Sequence, residues 1–322
     1  MLNPRENVLV NAFRGILYSP QELLGEFDEN DRDSFSRTLD FRVFREFVKT
    51  GRLAQSTYTD TIVQSLHDNS ISYAMRSLLI DKPVAAIMGG HRTPRGCDAY
   101  RNVVIMAREL TRHNILMSSG GGPGAMEATH LGASLAQHDD ATMEWALAEL
   151  ATVPELPHGS DLVALDGAIN TRMLHALHAW QVPAFAVARR LDPAATIPSL
   201  AIPTWHYGHE PPTPLASHIA KYFQNSLRED GLLAVAKQGV IYTEGRAGTL
   251  QEVFQDAAQN YYKSFDWFSP MVFFGEEHWL TEMPVVPLLK RLFKEEFDRH
   301  VLVTDDPLAA VAFIESFQPP RQ

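Results

Sequence analysis

The sequence predicts an α/β protein: a doubly wound, mainly parallel, Rossmann-like sheet carrying an α-helical N-terminal region. Three observations predict it. Twice, at Ile115–Gly132 (ILMSSGGGPGAMEATHLG) and again at Gly239–Phe254 (GVIYTEGRAGTLQEVF), an apolar run stops at a glycine loop and a helical pattern begins at once. A strand feeding such a loop and then a helix is the repeating unit of sheets that bind ligands at their carboxyl edge. Short apolar runs continue to alternate with helical patterns to the end of the chain, and the first 80 residues, with few glycines, carry helical spacing.

The division that follows is a helical region over residues 1–80 and a Rossmann-like domain over 81–322. In the first part, Phe41, Phe44, Phe47 and Val48 recur at three- and four-residue steps within a helix expected over 35–48, and a second helix is expected over 58–79. DENDRD, residues 28–33, reads as a solvated turn: it lacks the glycine and downstream glutamate of a calcium loop. At Pro83 the character changes, and VAAIMGG is expected to be the first buried strand. Gly89, Gly90, His91 and Arg92 then fall at its carboxyl end. Arg92 and Arg95 are both candidates for a phosphate contact, against the plainer role of solvated loop cations. A helix over 98–113 and a strand over 115–118 lead into the first glycine loop.

Helices are expected within 141–180, a third strand at Ala184–Ala188 (AFAVA), and a loop after it. PTWHYGHEPPTP, residues 203–214, holds His206, His209 and Glu210. With prolines immediately following, these cannot form a helical i, i+4 ligand pair, so a rigid loop lining a pocket is expected, and no metal. Ile219, Phe223 and Leu227 at four-residue steps predict a helix from Leu215, with Arg228 near its end. After the strand 239–243 and the second loop, the runs at 271–274, 285–296, 301–304 and 307–317 continue strand, helix, strand, helix, for roughly six or seven strands in all.

The first loop carries the ligand argument. Gly120, Gly121 and Gly122 permit positive φ and close backbone approach, so that successive N–H groups can point at an anion, and Pro123 suits a first helical position. The following helix aims its positive end at the same place. Gly120, Gly122 and Ala125 satisfy G-x-G-x-x-[GA], a weak signal alone; Ser119, Gly124 and Met126 complete the stretch. In the second loop Gly245, Arg246, Ala247 and Gly248 offer backbone again, and Thr249 with Glu252 reads as a T-x-x-E capping box, which needs no ligand.

Composition limits the partners. With 39 acidic and 28 basic residues the formal charge is -11, which argues against a general nucleic-acid surface. A lone cysteine, Cys97, rules out an intrachain disulfide and a Cys-rich zinc site. No apolar run approaches the roughly 20 residues that span a bilayer, and MLNPRENVLVNAF lacks a signal-peptide layout, so no membrane and a cytoplasmic location are expected.

GGGPGAMEATHLGA and EGRAGTLQEVF together resemble the paired motifs of the LOG ("Lonely Guy") family of nucleotide phosphoribohydrolases and the related bacterial nucleotide 5'-monophosphate nucleosidases. The likeness covers about residues 83–262. In the family the second motif reads P-G-G-x-G-T-x-x-E; here Glu244 and Arg246 replace its proline and second glycine. The resemblance implies cleavage of the N-glycosidic bond of a nucleoside 5'-monophosphate, AMP-like or a modified purine, to free base and ribose 5-phosphate. It implies Glu252 as the catalytic carboxylate, Arg228 as the upstream arginine, and a homodimer. The phosphate would lie against Gly90, the 119–126 stretch and residues 245–249, and Arg246 would either add a phosphate contact or block the usual base. No cofactor is expected: neither loop holds a lysine, and nothing in the chain requires pyridoxal phosphate.

Two other classes fit less of the sequence. A sensor that holds a nucleotide without cleaving it is supported by the altered 244–246 segment. An NAD(P)-dependent oxidoreductase needs an acidic strand end about 20 residues after the glycines. Asp139 and Asp140 stand near that distance, but AQHDDATMEW is no strand end, which places this class last.

Overall fold

A computed structural model describes residues 9–52, 57–159, 161–264 and 267–319. Seven strands form one parallel sheet: β1 Val84–Met88, β2 Leu116–Ser119, β3 Leu200–Ala201, β4 His218–Ile219, β5 Gly239–Tyr242, β6 Met271–Phe274 and β7 Val301–Thr304. Their spatial order is β4-β3-β2-β1-β5-β6-β7, every neighbouring pair parallel. The chain therefore winds one way from β1 to β4, then returns to the far side of β1 with β5. The crevice at the carboxyl ends of β1 and β5 is the topological switch point, where open α/β sheets take ligands. β1, β2, β5 and β6 are buried throughout, as strands covered on both faces must be.

Twelve helices surround the sheet among the described residues. The N-terminal layer supplies α1 Pro20–Leu24, α2 Leu39–Lys49 and α3 Tyr58–Leu78. Then come α4 Asp98–Arg112, α5 Ala125–Ser134, α6 Asp140–Leu150, α7 Thr171–Arg190, α8 Asn225–Val235, α9 Ala247–Tyr261, α10 Val286–Phe293, α11 Phe297–His300 and α12 Pro307–Ser316. One face of the sheet packs on α4, α5 and α12 through residues such as Val104, Leu131 and Ile314. The other packs on the N-terminal layer, α8, α9 and α10 through Phe41, Ile71, Leu233, Val253 and Leu289 in one continuous apolar cluster.

The N-terminal layer is also tied to the sheet by polar contacts. Tyr18 pairs antiparallel with Ile219 at the outer edge, by bonds of 3.0 and 2.8 Å. Lys221 makes a buried ion pair with Asp40 of α2. Asp68 of α3 accepts the amides of Phe223 and Gln224 at 3.0 and 2.8 Å, fixing the segment from which α8 starts. Residues 28–33 form the expected turn ahead of a 3-10 turn at Ser34–Arg37.

Several local expectations are corrected. AFAVA is not a strand; it lies inside α7, which runs through Pro183 to Arg190 and buries Ala184 and Val187 one turn apart. A short apolar run does not distinguish a buried strand from a buried helix, and three alanines tip the balance. The third strand is Leu200–Ala201. The helix expected from Leu215 is β4 followed by a loop, because Ile219 is taken up by pairing with Ala201 and Tyr18. Arg228 consequently sits in the first turn of α8, at the carboxyl edge of the sheet, and not near a helix end.

Candidate active site

Three loops meet over the carboxyl ends of β2, β1 and β5, and Gly90 stitches them together. Its N–H donates to the carbonyl of Glu244 at 2.9 Å, and its carbonyl accepts from the amide of Ala125 at 3.2 Å. The stitch is tight: a Cβ on Gly124, whose φ is +67°, would stand 2.3 Å from the Gly90 oxygen, so only glycine fits. Both polar backbone atoms of Gly90 are thus committed to structure.

In the first loop Gly124, not the residue before Pro123, is the N-cap of α5, so Pro123 precedes the helix instead of opening it. The hydroxyl of Ser119 accepts from Gly121 N at 3.1 Å and bonds to His130 Nε2 at 2.9 Å; it is fully buried and shapes the loop from beneath. Gly121 has φ +74° and lies against Ala201, and its carbonyl accepts from Thr213 at 2.9 Å. Among the described residues the amides of Gly120, Gly122 and Gly124 donate no hydrogen bond. Two side chains stand over Gly120 and Gly122. Met126 places its sulfur 2.7 Å and its methyl 3.1 Å from where Cβ atoms on Gly120 and Gly122 would be, and Arg228 brings Nη1 to 3.5 Å from the Gly120 position. Ala125 is buried.

The second loop is more open. α9 begins at Ala247 with Arg246 as N-cap, three residues earlier than a Thr249 cap requires, so the capping box does not form and Glu252 is freed from that role. Thr249 is buried, its Oγ1 filling the space a side chain on Gly245 would need, while Gly245 N donates to His278 Nε2 at 3.4 Å. Glu244, Arg246, Ala247 and Gly248 are exposed, and nothing lies within 4 Å of a Cβ position on Gly248.

Glu252 and Arg228 converge from α9 and α8. Burial raises the Glu252 carboxyl from its ordinary 4.5 to about 7; Arg228 acts to lower it and Glu229 to raise it. The guanidinium of Arg228 meets Glu229 at 3.3 Å, and its Nε is buried without a partner. An arginine that touches the first glycine loop and bears electrostatically on a half-buried carboxylate of poised pKa is an arrangement for holding an anion beside an acid–base group. One turn along α9, the Asp256 carboxyl is also pushed up to about 7 by burial and accepts from Tyr242 at 2.8 Å.

For Arg95 the sequence suggests a contact with phosphate or with solvent, and the structure provides neither. It is buried beneath the first loop in a bidentate pair with Glu127 of α5, both bonds 2.7 Å, with its guanidinium 3.8 Å from the Trp180 ring centroid. Glu127, at N3 of a helix following a glycine loop, was the available signal for such a partner. Arg92 remains exposed and lines a cavity of about 460 Å³ with Phe44, Phe47, His91, His206 and Glu210. A second cavity, of about 370 Å³, lies between α3 and the start of α8. The 203–214 loop lines both through His206, which stacks on Phe47 with ring centroids 4.0 Å apart. No cluster of metal-ligating side chains, and no helix long and apolar enough to cross a membrane, occurs among the described residues. The opening residues 1–8, part of the signal-peptide reading, lie outside them.

What the geometry defines is an α/β protein with a seven-stranded parallel sheet and a polar crevice at its switch point. A scan of protein-family models and a search of curated proteins return no match to this chain.

Proposed function

We propose that the protein hydrolyses the N-glycosidic bond of a nucleoside 5'-monophosphate, releasing free base and ribose 5-phosphate, as the resemblance to the LOG family implies. The observation that carries the reading is the convergence of Arg228 on both Gly120 and Glu252. The phosphate lies between the 120–124 loop and the open N-terminus of α9, with Met126, flexible and unbranched, swinging away to admit it. Arg228 neutralises phosphate charge. Glu252 faces the sugar: as C1'–N bond cleavage builds positive charge on the ribose, the carboxylate stabilises it and takes a proton from the attacking water. A C1'–O bond replaces the C1'–N bond, and the base leaves with a proton.

A cytoplasmic homodimer belongs to the same proposal, checked by light scattering on the eluted protein. The second reading, nucleotide binding without cleavage, is favoured by the exposed Glu244 and Arg246 at positions where the family has proline and glycine. One experiment separates them. Purified protein is incubated with a panel of nucleoside monophosphates and released base is measured. Release from at least one supports the hydrolase; binding without release from any transfers the case to the sensor.

A further inference from the structure

The smaller cavity is bounded on one side by Gln64 and Asp68 of α3 and on the other by Phe223, Asn225 and the loop residue His206. Three of these five side chains hold a buried polar atom with no hydrogen-bond partner: Gln64 Oε1, Asn225 Oδ1 and His206 Nε2. A fourth such atom, Arg228 Nε, is one helical turn, about 5 Å, further along α8. Buried polar groups are ordinarily satisfied, so a concentration of unsatisfied ones around one cavity points to a ligand that completes them.

The chemistry of the unmatched atoms is specific. Asn225 Nδ2 donates to Glu229 Oε1 at 2.6 Å, which fixes the amide so that its carbonyl oxygen is the atom left over. Gln64 also leaves a carbonyl oxygen. Asn225 Oδ1 is therefore an acceptor that calls for an N–H group on the ligand, and the Gln64 amide, which among the described residues no hydrogen bond holds, turns to meet the same group. Asp68 does not compete, since its oxygens already accept from Phe223, Gln224 and His67. Burial lowers the His206 imidazole to about 4, so it is neutral and adds no charge to the cavity. Phe223 supplies an apolar wall.

Resting on the nucleotide reading, we infer that this cavity receives the base of the nucleoside monophosphate, and that Gln64 and Asn225 select bases carrying an exocyclic amino group. The helical N-terminal layer thereby becomes part of the site. It supplies Gln64 and, through Asp68, holds Asn225 and Arg228 in place, so that base and phosphate are gripped from successive turns of α8. An oxo base in the same pose sets a carbonyl where a donor is needed.

The test is calorimetric titration of the full chain with AMP, IMP and ribose 5-phosphate. Expected are tighter binding of AMP than IMP and, in Gln64→Leu, about tenfold weaker AMP binding, the size of one lost hydrogen bond, with ribose 5-phosphate affinity unchanged. Gln64→Met, an unbranched helix former, replaces the leucine variant should that one not fold. Equal affinity of the wild type for AMP and IMP, or wild-type AMP affinity in the Gln64 variant, overturns the base pocket while leaving the hydrolase reading intact. If the wild type binds none of the three, the nucleotide reading itself fails, and this inference with it.

Discussion

Replacing Glu252 by Gln tests the site through stability and catalysis at once. Its carboxyl stands at about 7 in the folded protein against an ordinary 4.5, so the folded state holds a proton that the unfolded chain has lost between those two values. Stability contributed by this group is therefore full below pH 4.5 and is lost as pH rises through 7. The shift corresponds to about 3 kcal/mol, or about 2 kcal/mol after discounting for the side chain's partial exposure. Glutamine keeps the shape and removes the charge. The variant should melt about 3 °C above wild type at pH 8.5, given the unfolding entropy of a chain this long, and together with it at pH 4. Base release at pH 8.5 should fall on the order of 100-fold, the size of a lost acid–base contribution. Differential scanning calorimetry at the two pH values and a base-release assay on the same samples read both quantities. An unchanged melting temperature at pH 8.5 would refute the buried-carboxylate argument; unchanged turnover would refute the catalytic one.

Three further outcomes are expected. Arg228 lowers the Glu252 pKa, so Arg228→Ala should move the rising limb of the pH–rate profile from about 7 to higher pH and weaken phosphate binding; a limb that stays put would separate the two residues. In the first loop, Gly122→Val meets only the mobile end of Met126 and should stay folded while losing AMP binding, whereas Gly124→Ala drives its Cβ into the Gly90 carbonyl and should lower the melting temperature; calorimetry of both reverses the assignment if Gly122→Val binds normally. Arg246 is exposed at the N-cap of α9, so Arg246→Gly should weaken nucleotide affinity, with the loss shrinking at high salt, if it contacts phosphate, and should raise turnover or broaden the bases accepted if it blocks the site; no change in either places it in solvent.

The sheet was legible where an apolar run is followed at once by glycine, as at Met88 and Ser119, because loop chemistry resolves the strand-or-helix ambiguity there. It was illegible at β3 and β4, two residues each, which contribute too few side chains to show any period. Ile219 kept a helical spacing with Phe223 and Leu227 that tertiary pairing overrode. The same error misplaced Arg228 at a helix end, although its choice as the upstream arginine rested on the family resemblance and did not depend on the helix. Arg95 and Ser119 look like ligand groups in one dimension; the fold places Glu127 and His130 beneath them, of which Glu127 alone left a signal in the sequence. The cavity between α3 and α8 joins residues about 160 positions apart, a separation over which periodicity carries no information.

His130 gives the first glycine loop an unusual relation to acid. Its ring is clamped between the hydroxyls of Ser119 and Ser199, each at 2.9 Å, and burial lowers its pKa from 6.5 to about 3. Across the range in which Glu252 titrates, the clamp carries no charge and does not change. The pH response of the site is thereby left to the two carboxyls of α9, Glu252 and Asp256, on a mount that is electrically silent. Below pH 6.5 the unfolded chain takes up a proton at this position that the folded one refuses, so stability falls steadily with pH through this residue. A protein built this way tolerates alkali at this histidine and loses folding stability through it in acid.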